Sequence, residues 1–151
     1  MMRMFEDYSV GTILPMGPHA VSQEAIIAFA AQYDPQPMHL DPRYPVDGPT
    51  RGFCASGWHV CGIMMRMMCD SFVNASASEG SPGVDRLAWR HPVRPGDVLS
   101  GGTEVLEARP SASRPAIGFL KLRTRLVNQD DVVVVEAEYS VMLRRRAEAT
   151  S

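Results

Sequence analysis

The residues from Ser56 to Asp70 constrain the fold of this chain more than any other segment. In this stretch, SGWHVCGIMMRMMCD, Arg66 is the only charged residue before the final aspartate. A helix that is apolar on nearly every face is a buried helix in a soluble protein. Its methionines have flexible side chains that fill irregular gaps, as packing against a curved surface requires. We therefore predict a buried central helix enclosed by a curved layer, with a methionine-lined cofactor site as the alternative.

The second half of the chain has the two-residue period of β-strands. In Ile117–Val127, leucines alternate with basic residues, which indicates a strand with one face in water. Residues 132–143 alternate in the same way after a turn at 128–131, so these two strands are expected to pair as an antiparallel hairpin. Two further strands and a loop of small residues are predicted upstream, at 83–91, 98–108 and 75–82.

An amphipathic helix is predicted over residues 22–33, before the buried one. Ser22 is a suitable N-cap, and apolar side chains recur at helical spacing from Ile26 to Tyr33. The helix is expected to end at Asp34, because Pro35 disfavours helical geometry in the residue before it. Helices followed by antiparallel strands predict an α+β fold, in which a curved antiparallel sheet surrounds the long central helix.

The length and composition fit one domain of ordinary character. Two separate cores within 151 residues would each be near the lower limit for independent folding, so we predict a single domain over 1–151. Its core is placed at about 5–144, with a flexible charged tail at 145–151. A net charge of −2 provides no broad field for nucleic acid or an anionic membrane. Three cysteines without a Cys-x-x-Cys pair, and no signal peptide or membrane-spanning stretch, predict a cytoplasmic protein.

The densest group of reactive side chains lies in residues 33–41, YDPQPMHLD. Asp34 and His39 would be roughly 16 Å apart in an extended chain, but the two prolines can set a bend that brings them together. Histidine transfers protons near neutral pH, and a carboxylate beside it can position or deprotonate water. The segment is expected to be neither regular helix nor central strand. Asp41, before Pro42, is interpreted as a helix N-cap, and Asp34 could instead cap the preceding helix end.

Three parts of the sequence together resemble one known family. The tract Asp34-Pro35-Gln36-Pro37-Met38-His39-Leu40-Asp41 is similar to the Asp-x-Asn-Pro-(Ile/Leu)-His-x-Asp hallmark of the MaoC-like hot-dog-fold acyl-CoA hydratases and dehydratases. The entry to the central helix, Ala55-Ser56-Gly57-Trp58-His59, and Trp89 with the following turn PVRPGD, resemble a subgroup of that family. The resemblance covers about residues 5–144, and it departs from the hallmark at Gln36, where asparagine is usual.

The resemblance implies a hot-dog fold and a hydro-lyase reaction. Asp34 and His39 would hold one water and add it across the double bond of a trans-2-enoyl-CoA, or catalyse the reverse dehydration. The Gly57 N–H, at the positive end of the central helix, would polarise the thioester carbonyl. The substrate contacts that we predict are Gln36, Phe53, Ser56 and Trp58. The substrate is itself a coenzyme A thioester, and we expect no other cofactor, no metal and a homodimer or an assembly of dimers.

Other hypotheses remain open from the sequence. A hot-dog acyl-CoA thioesterase would use the same helix-end donor, and a non-catalytic acyl-thioester-binding domain would have the same fold. Ser56 and His59 share a helix face and could form a nucleophile pair. His39, Asp41 and His59 are a further candidate metal site. Fourteen of the fifteen basic side chains are arginine, which reflects either codon bias or contacts with coenzyme A phosphates.

Overall fold

The computed structural model, which describes residues 1–148, contains one antiparallel sheet of five strands. The five strands lie in the order β1-β3-β4-β5-β2. β4 pairs with β5 along its whole length, with Leu122 opposite Tyr139, so the predicted hairpin is confirmed. The strand bounds are β1 (Ile13–Ala20), β2 (Gly83–Trp89), β3 (Val98–Pro110), β4 (Ile117–Val127) and β5 (Val133–Arg144).

The helices lie before β2 in the chain. A short 3₁₀ turn (Phe5–Asp7) is followed by α1 (Gln23–Tyr33), α2 (Pro37–Leu40) and α3 (Gly57–Met68), and α3 continues into a π-helical turn (Cys69–Val73). The Ser22 hydroxyl accepts a hydrogen bond from the Ala25 N–H, so the predicted N-cap of α1 is confirmed. The α+β architecture expected from the sequence is therefore present.

The central helix α3 is buried on one face rather than on all of them. Val60, Ile63 and Met67 belong to the core that α3 forms with the sheet. On the opposite face, Trp58 is 61% exposed and Met65 is 45% exposed. The all-round burial predicted from composition is therefore wrong for the single chain, because one sheet covers only one side of a helix.

A chain of hydroxyl groups crosses the core beneath α3. The Thr103 and Thr124 hydroxyls are 2.7 Å apart, and the Thr124 hydroxyl is 2.5 Å from that of Tyr139. Tyr139 in turn donates to the Met68 sulfur at 3.1 Å. This network joins β3, β4 and β5 to the helix. Burial raises the pKa of Tyr139 to about 12, because the phenolate would lose its solvation there.

We expect the free energy of unfolding of Tyr139→Phe to fall less steeply with pH above pH 10 than that of the wild type. Between pH 10 and pH 12 the unfolded chain ionises its tyrosine while the folded chain does not, so the wild type loses about 3 kcal/mol of stability over this window. The phenylalanine variant lacks that contribution. Urea unfolding at several pH values measures the difference, and parallel profiles of the two proteins above pH 10 would contradict the assignment.

Two predictions about local structure need correction. Residues 33–41 were expected to exclude helix, but Pro37 begins the four-residue α2, since proline needs no N–H partner in a first helical turn. Asp41 is not an N-cap; it follows the end of α2, and its carboxylate accepts from the Arg43 N–H at 2.9 Å.

The predicted tail begins later than residue 145. The Arg145 N–H bonds to the Ala116 carbonyl at 2.8 Å, and the Arg146 guanidinium bonds to Asp7. The first contact continues the pairing of β4 with β5, and the second reaches the 3₁₀ turn, so the two arginines are held against the domain. Residues 149–151 lie outside the described part. Among residues 1–148, no helix combines the length and apolar character needed to cross a membrane.

Candidate active site

The bend between α1 and α2 brings the predicted pair together. Asp34 is the C-cap of α1, and its φ of −150° and ψ of 67° are not helical, so the chain leaves the helix at this residue. One helical turn later, the His39 Nε2 atom lies 3.4 Å from the Asp34 Oδ2 atom. The two prolines thus shorten the extended separation to near contact.

A backbone carbonyl determines which nitrogen of His39 carries the proton. The His39 Nδ1 atom lies 2.7 Å from the carbonyl oxygen of Cys54, which can only accept a hydrogen bond. In the neutral ring, Nδ1 is therefore protonated, and the lone pair of Nε2 faces the Asp34 carboxylate. The Cys54 N–H donates to the Met38 carbonyl at 2.9 Å, which holds this carbonyl in place against α2.

Two neutral donors hold the Asp34 carboxylate. The Ser56 hydroxyl donates to Oδ2 at 2.6 Å, and the Gln36 amide donates to Oδ1 at 2.6 Å. These bonds, with Ser56 the stronger influence, lower the pKa of Asp34 against the opposing effect of burial. Asp34 is therefore ionised at neutral pH. Gln36 and Ser56 were predicted to contact substrate, but in the structure both side chains are bonded to Asp34.

A cavity of about 370 Å³ opens beside this carboxylate. Of the predicted site residues, Asp34, Gln36, Gly57 and Trp58 line it. His39 and Ser56 are buried and do not line it, but both contact Asp34, which does. Phe53, also predicted to contact substrate, is buried in the hydrophobic core and does not line this cavity.

One segment of the cavity wall was not predicted to belong to the site. Trp89, at the end of β2, and the following Arg90 and His91 line the cavity together with Asp34. The edge of one indole meets the face of the other in the Trp58–Trp89 pair, whose ring centroids are 5.1 Å apart. Trp89 belongs to a tract that resembles the family, but its place beside α3 depends on the pairing of β2 with β5, which has no local sequence signal.

The first turn of α3 presents an unused donor to the cavity. Gly57 is the first residue of this helix, and Ser56 caps it by accepting from the Trp58 N–H at 3.3 Å. Within residues 1–148, no group accepts a hydrogen bond from the Gly57 N–H. A free N–H at the positive end of a helix is suited to bind an oxygen that carries developing negative charge.

The structure does not form two of the alternative sites. The Ser56 hydroxyl is bonded to Asp34, while the His59 ring stacks on Phe29 with centroids 4.9 Å apart, so they make no nucleophile pair. Burial, with the nearby His19, lowers the pKa of His59. In the described part of the chain, no cluster of three or more His, Cys, Asp or Glu residues could hold a metal ion, so His39, Asp41 and His59 do not form one.

We expect Ser56→Ala to raise the pKa of Asp34 towards the ordinary carboxyl value. Because the pKa of Asp34 is lowered in the folded wild type, the ionised carboxylate stabilises the folded chain at pH values above the ordinary carboxyl pKa. This contribution is lost as the pH falls through the folded-state pKa. The variant should lose less stability in acid, although removing the cap costs about 1 kcal/mol at neutral pH. Carboxyl ¹³C NMR titration measures the pKa.

Ser22→Ala is the matched control, because Ser22 caps α1 without touching Asp34. It should cost similar stability and leave the Asp34 titration unchanged. An Asp34 titration that is the same in both variants would contradict the role given to Ser56.

The comparisons with known proteins agree with this geometry. Residues 11–116 match the family model of the MaoC-like domain. A MaoC-like dehydratase of Rhodospirillum rubrum is 37% identical, with a TM-score of 0.87, over 95% of this chain and 98% of that one. The chain therefore belongs to the MaoC-like dehydratase family, and its curved sheet and long helix form the hot-dog fold of that family.

Two further relatives extend the comparison. The uncharacterized protein YdeM of Bacillus subtilis is 28% identical over 140 residues, which are 93% of this chain and 98% of YdeM. The (R)-hydratase PhaJ1 of Pseudomonas aeruginosa is 22% identical, with a TM-score of 0.75, over 98% of this chain and 92% of PhaJ1. At that identity, the similarity to PhaJ1 shows a common fold.

Proposed function

We propose that this protein is an enoyl-CoA hydratase, or a 3-hydroxyacyl-CoA dehydratase in the reverse direction. The observation that carries the proposal is the 3.4 Å gap between the His39 Nε2 lone pair and the Asp34 carboxylate. Two acceptors that face each other are satisfied when a molecule with two O–H donors, such as water, bonds to both. Membership in a dehydratase family and the (R)-hydratase among the fold neighbours support this interpretation.

In the proposed reaction, the water oxygen adds to the β-carbon of the enoyl thioester. The His39 Nε2 atom takes the water proton, because Asp34, with its lowered pKa, is the weaker base. The Asp34 carboxylate orients the water and stabilises the imidazolium that forms. The electron pair of the double bond moves to the thioester oxygen, and the Gly57 N–H binds this oxygen; one such donor contributes about 10²- to 10³-fold in rate.

The second proton transfer completes the addition. The His39 imidazolium returns its proton to the α-carbon, so that H and OH from one water are both added and the histidine is neutral again. No cofactor is consumed in this scheme beyond the coenzyme A that the substrate carries. Arg90, exposed at the cavity wall, is the arginine best placed to meet an anionic part of the substrate.

We also propose that the protein works as a homodimer. β2 is an edge strand of the sheet, and Val84 on it is 61% exposed beside the exposed face of α3. A second copy of the chain that pairs with this edge would bury the unpaired strand and the exposed Trp58 and Met65 together. Sedimentation equilibrium measures the mass, and a monomer at micromolar concentration would contradict this.

Mixing the purified protein with crotonyl-CoA tests the proposed reaction. Loss of the enoyl thioester absorbance without release of free thiol is the expected result. Thiol release would identify a thioesterase instead, and tight binding without either change would identify a non-catalytic binding domain. Repeating the assay with longer, branched and dicarboxylic enoyl groups then determines the acyl preference.

A further inference from the structure

The indole of Trp89 is packed directly on Gly57. Its Nε1–H donates to the Gly57 carbonyl at 2.9 Å, across a sequence separation of 32 residues. A Cβ atom placed on Gly57 would lie 2.5–2.8 Å from three atoms of the indole, closer than real Cβ contacts. The ring therefore occupies the space that any side chain at position 57 would need.

This contact joins β2 to the first residue of α3, next to the contact between the Trp58 and Trp89 rings. Trp89 is anchored in β2 by its pairing with Val135 of β5, and Gly57 is the first residue of α3. The hydrogen bond and the ring together restrain the carbonyl and the Cα of Gly57. The amide nitrogen of Gly57 is covalently bonded to this Cα. The position of the Gly57 N–H relative to Asp34 therefore depends on where the sheet holds the indole.

We propose that Trp89 is a positioning residue for the Gly57 N–H. The indole holds the first turn of α3 so that this donor faces the thioester oxygen, and it requires glycine at position 57. The role rests on the proposed hydratase function. It differs from that of a wall residue that merely touches substrate, because a restrained donor acts on the oxygen as charge develops and changes kcat more than KM.

Trp89→Phe is the first test, because it keeps an aromatic ring and removes the donor. We expect kcat for crotonyl-CoA to fall about tenfold, with KM changed less than twofold, since small displacements of reacting groups have effects of this size or larger. A rise in KM with unchanged kcat would make Trp89 a substrate contact and overturn the proposal. Unchanged values of both would also overturn it.

A pair of glycine variants isolates the steric part of the proposal. Gly57→Ala should reduce kcat more than tenfold in the wild type, because its methyl group collides with the indole. The matched control is Gly62→Ala in the same helix, where a Cβ meets nothing within 4 Å. In a Trp89→Leu background the Gly57→Ala effect should shrink several-fold. An effect of equal size in both backgrounds would overturn the proposal.

An NMR measurement tests the contact without using activity. The protein has two tryptophans, so an ¹⁵N-labelled sample gives two indole N–H signals, which Trp89→Phe assigns. We expect the Trp89 indole proton to exchange with water more slowly than that of free tryptophan, and the Gly57 amide signal to shift in Trp89→Phe while that of Gly62 does not. If the wild type hydrates no enoyl thioester, the proposed function fails. Exchange of the Trp89 indole at the rate of free tryptophan and an unmoved Gly57 signal contradict the positioning role itself.

Discussion

Replacing His39 with alanine is expected to lower kcat/KM for crotonyl-CoA hydration by about a thousandfold or more. The proposal gives this one side chain both proton transfers, and each general acid–base step contributes about 10²- to 10⁴-fold. Asp34→Asn should have an effect of similar size. Its amide places an NH2 group against one of the two donors, Ser56 or Gln36, and removes the charge that stabilises the imidazolium.

Asp41→Asn is the matched control for these variants. Asp41 belongs to the same tract, but its carboxylate is exposed and bonds to the Arg43 N–H. Its hydration rate should stay within twofold of the wild type, because Asp41 is not among the residues that line the cavity. Circular dichroism confirms that each variant is folded. Wild-type rates in both His39→Ala and Asp34→Asn would show that the reaction, if present, uses other residues.

Gly101→Ala is expected to destabilise the fold by about 3–4 kcal/mol or to prevent folding. A Cβ atom on Gly101 would lie 2.0 Å from the backbone carbonyl oxygen of Arg125 in the neighbouring strand β4. That carbonyl belongs to a sheet with partners on both sides, so it cannot move away without disturbing the ladder. Steric conflict with backbone is among the few causes of such large effects. Guanidinium unfolding measures the change.

Gly62→Ala is the matched control for this substitution as well. Gly62 lies in the middle of α3 and faces open space, so alanine should be neutral there or stabilising by up to about 1 kcal/mol. Equal unfolding midpoints for the Gly101 and Gly62 variants would show that β3 does not approach β4 as closely as described.

The regular elements could be predicted because their signals are local. Alternation along β4 and β5, the Ser22 cap and Pro35 all act through neighbours in the chain. The exposed face of α3 could not be predicted, because how much of a helix is covered depends on the size of the sheet that folds over it. The α2 turn was missed for a smaller reason: a proline that ends one helix can begin the next.

The candidate pair Asp34 and His39 could be proposed from the sequence, since a bend of a few residues suffices to join them. The roles of their supporting groups could not. Ser56 is 22 residues from Asp34, and the Cys54 carbonyl that orients His39 is a backbone atom with no sequence signature. Gln36, the departure from the family hallmark, was ambiguous until its amide was found on the Asp34 carboxylate.

The sequence by itself determined the family, the class of fold and the candidate pair Asp34 and His39. These depend on residue types at short spacings, which act through local backbone preference and chemistry. Only the tertiary structure decided the protonated nitrogen of His39, the lowered pKa of Asp34 and the contact of Trp89 with Gly57. Each of these depends on atoms from distant segments meeting within about 3 Å, and hydrogen-bond and steric energies change steeply over that distance.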